Sequence, residues 1–201
     1  MSGARGPAPD AAPARGRLVV VSGPSGVGKT AVIERLLAHR SFARAITATT
    51  RAPRQGERDG VDYLFLPREE FVRRVEAGAF LEHAEVYGRL YGTPREGPER
   101  IVASGRHCLL NIDVQGAATL RRTGVEGLYV FLLSPDPQEL IRRLRSRGLD
   151  GPEEIERRLA AAERELSEAH RFDRVLVNDD LETTARNLAR LVDVDLSLAG
   201  S

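Results

Sequence analysis

The feature that most constrains this chain is Gly23-Pro24-Ser25-Gly26-Val27-Gly28-Lys29-Thr30, which matches the pattern G-x-x-x-x-G-K-[ST]. The apolar run Leu18-Val19-Val20-Val21 precedes it, and residues 30–39 follow with apolar side chains at Val32, Ile33, Leu36 and Leu37. The run has the character of a buried strand, and the later spacing is that of an amphipathic helix. A glycine-rich turn between strand and helix lets the backbone fold tightly, so that successive N–H groups and the positive helix end point at one anion. Residues 23–28 therefore read as a cradle for nucleotide phosphates. Lys29 places a point charge on the β- and γ-phosphates, and the Thr30 hydroxyl is placed to ligate Mg²⁺. A chance glycine-rich turn is the alternative, and the charge usage of the chain weighs against it. Lys29 is the single lysine among 30 basic residues. A guanidinium is wide and planar while an ammonium is compact, a difference that matters inside a narrow cradle.

The strand–helix alternation recurs. Residues 108–112, 129–133 and 174–177 read as strands, and 115–122, 137–145, 152–170 and 181–191 as helices. Such alternation predicts an α/β fold, a parallel sheet core flanked by helices. The 201 residues suit one compact domain with inserted subregions, and 41% hydrophobic content is enough for a core. Residues 1–16 are almost all Ala, Gly, Pro, Arg and Ser and read as a disordered tail. They have no apolar central segment of a secretory signal, and their Gly and Pro content argues against an amphipathic transit helix. The rhythm breaks at about 48–94, where 61–66 and 80–86 read as strands around a helix over 68–77. This stretch reads as an inserted subdomain in a domain spanning 17–191, with core parts 17–47 and 95–191 and a C-terminal tail over 192–201.

The insert contains Thr49-Thr50-Arg51-Ala52-Pro53-Arg54-Gln55-Gly56-Glu57, Gly60-Val61-Asp62-Tyr63, Phe80-Leu81-Glu82-His83-Ala84 and Tyr91-Gly92-Thr93. In these residues the chain resembles the guanylate kinase family, whose members carry T-T-R-x-P-R-x-G-E and Y-G-[ST] in this order and spacing. The resemblance covers residues 17 to 191 approximately. It implies a P-loop nucleoside-monophosphate kinase fold, with the insert as a GMP-binding subdomain and a helical lid at about 143–160. It also implies transfer of phosphate from ATP to GMP with Mg²⁺.

The residues carry chemistry of their own. Arg51 and Arg54 can converge on one phosphate as forked, charge-assisted donors, and Tyr63 and Tyr91 can add phenolic donors. Glu82 lies in an apolar stretch. Guanine presents N1–H and a 2-amine side by side to a carboxylate, whereas adenine offers an acceptor at N1 and leaves the carboxylate unsatisfied. An exposed strand residue is the alternative for Glu82. The resemblance places Thr47, Glu82 and Asp113 around guanine and adds Thr93 to the GMP-binding set. The attacking atom is a phosphate oxygen that is already ionised, so no general base is required, and catalysis rests on alignment and charge neutralisation.

Arg143 and Arg147 are four apart and share a helix face, and Arg158 follows in Glu156-Arg157-Arg158. The resemblance implies a lid that closes these arginines over the transferring phosphoryl group; pairing with Glu153, Glu154 and Glu156 is the alternative. Relatives often read D-I-D where this chain has Asn111-Ile112-Asp113, so position 111 offers no carboxylate to the metal, and an amide-oxygen role is the expectation. Gly97-Pro98 predicts a late start for the helix there. By resemblance Asn178 lies near the adenine of ATP, although an Asx turn into the last helix accounts for it equally well.

The remaining composition excludes more than it assigns. A net charge of +1 argues against nucleic acid as a partner, and no apolar run approaches the ~18 residues of a membrane span. One cysteine, Cys108, excludes an internal disulfide and reads as a buried inert thiol, and the four histidines lack zinc-like spacing. The expectation is a cytoplasmic enzyme, monomer or small homo-oligomer, with ATP and GMP as its partners. Two other readings stand beside it: a P-loop kinase with another phosphorylated acceptor, and a non-catalytic binding module. Arg51, Arg54, Tyr63, Glu82 and Tyr91 together weigh against the first, and Lys29 and Thr30 against the second.

Overall fold

The computed structural model describes residues 16–86, 88–136, 163–194 and 196. Five strands form a parallel sheet: β1 (Leu18–Ser22), β2 (Phe42–Arg44), β7 (His107–Asn111), β8 (Leu128–Leu133) and β9 (Arg174–Val177), in the spatial order β2-β7-β1-β8-β9. The two-residue period of a strand divides the apolar runs between the faces. Val19, Val21, Leu109, Leu128, Val130 and Leu132 pack on one side with Val32, Ile33 and Leu36 of α1 (Lys29–Leu37) and Ala185, Leu188 and Ala189 of α5 (Leu181–Arg190). Leu18, Val20, Cys108, Leu110 and Tyr129 face the other side, where Ala117 and Leu120 of α4 (Val114–Arg122) cover them. Burial on both faces explains why these strands read as continuous apolar runs.

The second sheet has four strands in the order β4-β3-β6-β5, where β3 is Ala48–Thr49, β4 is Leu64–Phe65, β5 is Phe80–Val86 and β6 is Arg89–Pro94. Helix α2 (Arg68–Glu76) packs on it through Phe71, whose ring stacks on Phe80 at 4.5 Å. Gly78, with φ 66°, follows the α2 cap and stops the helix, because a left-handed backbone suits glycine.

Several expectations are corrected. The strand expected over 61–66 shrinks to Leu64–Phe65. Asp62 Oδ2 accepts from Arg58 N–H at 2.8 Å and Asp59 Oδ1 from Phe65 N–H at 2.9 Å, so aspartate side chains hold the preceding residues in a turn. The late helix start after Gly97-Pro98 does not occur: α3 (Glu96–Ala103) begins before both, with Pro98 in a first turn whose N–H groups have no helical acceptor. Strands β2, β3 and β6 are not evident from the sequence pattern. Of the expected 152–170 helix, the described part is helical over 163–167 and ends in a 3₁₀ turn at Ala169–Arg171. The helix expected over 137–145 lies outside the described residues.

Among the described residues no helix is long and apolar enough to cross a membrane. Cys108 is fully buried, and burial pushes its thiol up to about 12.

Candidate active site

Strand β1 sits between β7 and β8, so the chain departs to opposite sides from the carboxyl ends of these central strands. Open parallel sheets place their ligand crevice at such a point. The glycine-rich loop leaves the end of β1 there, and Asn111-Ile112-Asp113 leaves the end of β7 beside it.

The loop backbone has the conformation its glycines allow. Gly23, Gly26 and Gly28 take φ of 138°, 87° and 98°, and Gly28 caps α1. A side chain at Gly23 would also strike the Leu132 carbonyl, and one at Gly28 the Asn178 amide. Val27 is anchored in the core, so the loop is held from beneath. Lys29 Nζ donates to the carbonyls of Gly23 and of Pro24, the latter at 2.9 Å, and so reaches back across the loop. Thr30 is exposed in the first turn of α1. Asn178 does not form the Asx turn: Asp180 caps α5 by accepting from Thr183 N–H at 2.9 Å. The Asn178 Nδ2 donates instead to the Val27 carbonyl at 2.7 Å, and its buried Oδ1 has no partner among the described residues. Glu165, which the charge pattern of its helix hid, also faces this loop. Burial raises its pKa, and the Lys29 charge and the Ser25 N–H oppose that rise.

Between the two sheets lies a cavity of about 180 Å³ lined by Thr47, Tyr63, Glu82, Ala84, Val86, Tyr91, Asn111, Ile112 and Asp113. Five of the expected acceptor-site residues thus meet in one place: Thr47, Tyr63, Glu82, Tyr91 and Asp113. Glu82 is only 4% exposed, which removes the exposed-strand alternative. Strand register sets Glu82 opposite Thr93, and the Thr93 hydroxyl donates to Glu82 Oε1 at 2.6 Å. Thr93 is itself fully buried and stands behind Glu82 rather than in the cavity wall. Burial pushes the Glu82 carboxyl up to about 7; the Thr93 hydrogen bond opposes this and the nearby Asp113 charge adds to it. Asp113 has a second task, since its Oδ1 accepts from Gly116 N–H at 2.8 Å and caps α4.

Arg51 and Arg54 do not line the cavity. Arg51 makes a bidentate pair with Glu57, at 2.9 Å for both bonds, and donates to the Ala52 carbonyl at 2.7 Å. Three of its five N–H donors are engaged in this way. Its guanidinium lies 5.2 Å from the centre of the Tyr63 ring. The Glu57 bond chiefly, with help from Tyr91, raises the Arg51 pKa further, and Arg51 in turn lowers that of Glu57. Arg54 presents its backbone N–H to Glu57 Oε2 at 2.6 Å while its side chain is exposed. The paired threonines of the motif hold this loop to β6: Thr49 Oγ1 donates to the Leu90 carbonyl at 3.1 Å, and Thr50 Oγ1 accepts from Leu90 N–H at 2.9 Å. Arg143, Arg147 and Arg158 lie outside the described residues.

A glycine-rich loop at the switch point of a parallel sheet, with a cavity between that sheet and a second, four-stranded one, fits the fold of a P-loop nucleoside-monophosphate kinase. Comparison with known proteins narrows the class. The sequence model of the family described as "Guanylate kinase" matches residues 15–195. The guanylate kinase of Oleidesulfovibrio alaskensis is 49% identical over 171 residues, covering 85% of this chain and 83% of that protein. That of Thermus thermophilus is 46% identical over 186 residues, covering 92% and 84%. The crystal structure of guanylate kinase from Anaplasma phagocytophilum superposes with a TM-score of 0.72 at 35% identity, covering 89% of this chain and 85% of that one. The chain belongs to the guanylate kinase family, an ATP:GMP phosphotransferase class.

Proposed function

We propose that this chain transfers the γ-phosphate of ATP to GMP, and to dGMP, giving ADP and GDP in cytoplasmic purine metabolism and GMP recycling. The observation that carries the acceptor choice is a buried carboxylate, Glu82, braced by Thr93 and facing a cavity that Asp113 and Thr47 share. A carboxylate there accepts from guanine N1–H and the 2-amine, while adenine would leave a buried carboxylate unpaired. Tyr63, Tyr91 and the remaining donors of Arg51 take the GMP phosphate, with Arg54 joining from the loop. Residues 23–30 take the ATP phosphates, and Asn178, whose amide braces the Val27 carbonyl of that loop, lies on the ATP side of the site. Lys29 neutralises charge on the transferring group, as do the lid arginines Arg143, Arg147 and Arg158.

The donors present fit Mg²⁺. Among the described residues no three His, Cys, Asp or Glu side chains form a cage, and what the site offers is hard oxygen: the Thr30 hydroxyl and the amide of Asn111 at the cavity edge. Mg²⁺ takes few protein ligands and keeps waters and phosphate oxygens, and when bound it supplies charge neutralisation on those phosphates. Asn111→Asp is expected to lower the Mg²⁺ concentration for half-maximal rate by about threefold, because a carboxylate replaces an amide oxygen. An unchanged Mg²⁺ titration would remove any metal role from this position.

The reaction is tested by ADP release with ATP and Mg²⁺, comparing GMP, AMP, CMP, UMP and no acceptor. Release that requires GMP, with AMP poor, supports the reading. Release without acceptor, or none with GMP, refutes it. The pH profile adds a sharper check. Guanine donors need ionised Glu82, so GMP binding expels a proton when the pH is below about 7. The KM for GMP should rise about tenfold from pH 8 to pH 6 on this account. The phosphate of GMP also titrates near pH ~6. Glu82→Gln retains that contribution alone, and the difference between the two profiles isolates Glu82.

A further inference from the structure

Helix α4 meets strand β5 at Gly116, a residue to which none of these roles has been given. Gly116 is buried in the first turn of α4, and its N–H donates to Asp113 Oδ1 at 2.8 Å. A Cβ built on it would lie 2.9 Å from Glu82 Oε2, closer than Cβ atoms normally approach, and 3.4 Å from both Glu82 Cδ and Ile112 Cδ1. Glu82 has little freedom to turn away, because its other oxygen is held by Thr93 at 2.6 Å and the side chain is 4% exposed. The helix itself does not ask for glycine. Gly116 is not among the glycines with positive φ, and glycine weakens a helix relative to alanine. Its presence is explained by what stands above it rather than by its own backbone.

We propose that Gly116 is the positioning residue for both carboxylates of the acceptor pocket: its N–H fixes Asp113, and its missing side chain leaves the space that Glu82 Oε2 occupies. The proposal rests on the reading of Glu82 and Asp113 as guanine acceptors. Two parallel hydrogen bonds to N1–H and the 2-amine require both oxygens of Glu82 in one plane with the base. A methyl group at position 116 displaces one oxygen while the other stays tied to Thr93, which rotates the carboxylate out of that plane. Selectivity for guanine is therefore set partly by a residue that touches no substrate.

The test uses the full chain carrying Gly116→Ala. The expected result is a KM for GMP raised about tenfold and a smaller GMP-over-AMP preference, with the KM for ATP changed less than about twofold. The Tm should change little, because the helix gain from alanine and the crowding of Glu82 oppose one another. Glu82→Asp, made alone and in the Gly116→Ala background, supplies the second reading, since the shorter chain draws the carboxylate back by about 1.5 Å. The Glu82→Asp penalty on the KM for GMP should be at least about fivefold smaller in the Gly116→Ala background than alone. Additive effects overturn the proposal. So does a lowered Tm with both KM values raised, which would mean that the methyl group strikes the Ile112 packing. Glu82→Ala separates the two levels. If that variant keeps the GMP preference, the guanine reading fails and this proposal with it. If it loses the preference and Gly116→Ala does not, only the proposal fails.

Discussion

Lys29→Met is expected to lower kcat by about a thousandfold, the scale of removing one preorganised donor from a developing charge. Methionine keeps most of the length and bulk of the side chain, so the packing beneath the loop is preserved while the ammonium disappears. The Lys29 hydrogen bonds to Gly23 and Pro24 end on neutral carbonyls, while its charge also favours the ionised form of the partly buried Glu165. Some loss of stability is therefore expected as Glu165 loses that charge, smaller than the loss of rate. Lys29→Arg makes the expectation specific, because the planar guanidinium is too wide for a cradle whose glycines already abut the Leu132 carbonyl and the Asn178 amide. Single-turnover measurement of ADP formation, with Tm as the fold control, gives the answer. A Lys29→Arg variant within about tenfold of the native rate would show that charge alone suffices and that the tight cradle is not what selects lysine.

Glu82→Gln should lower kcat/KM for GMP by about a thousandfold and leave AMP almost unaffected. Each hydrogen bond to a charged acceptor contributes about 1.5–3 kcal/mol, and the amide loses one acceptor and turns a donor towards a donor. The same change should raise the Tm of the protein measured without nucleotide at pH 8. The carboxyl moves from the usual 4.5 to about 7 on folding, which burial drives. The folded state therefore holds the proton more tightly than the unfolded chain does. Stability contributed by this group is lost as pH rises from 4.5 to 7 and stays lost above, at a cost of about 3 kcal/mol. A neutral amide escapes that cost. A variant that loses both Tm and GMP activity would instead identify Glu82 as a structural brace.

Sequence reading recovers what is local and misses what register decides. The phosphate loop, α1, β9 and β5 are legible because each carries its own period and its own stop signals. Strand β6 is not: Arg89-Leu90-Tyr91-Gly92-Thr93-Pro94 has mixed propensity and becomes a strand only by pairing with β5 and β3. The task of Thr93 follows from that pairing, since nothing near it in sequence says that its hydroxyl will face Glu82. Asp113 stands out as a carboxylate after an apolar strand, but its cap on α4 also depends on Gly116 three residues on, a spacing that the sequence displays without marking its importance. Gly116 and Glu165 are invisible for a related reason. A buried glycine and a helical glutamate are ordinary in isolation, and only the strand or loop opposite gives them significance.

The ion pair between Arg51 and Glu57 bears on how the pocket meets ions in solution. An unpaired arginine in an open loop would attract any small anion, and salt would compete with GMP for it. Here the guanidinium has its counterion built in, at 2.9 Å in two places, and is 15% exposed. On the proposed reading an arriving phosphate meets a dipole there rather than a bare cation, and is held by accepting directed hydrogen bonds from Tyr63, Tyr91 and the spare Arg51 donors more than by simple charge attraction. The salt sensitivity of GMP binding should consequently come chiefly from the exposed Arg54 rather than from Arg51, and inorganic anions lacking a base to anchor them should compete poorly.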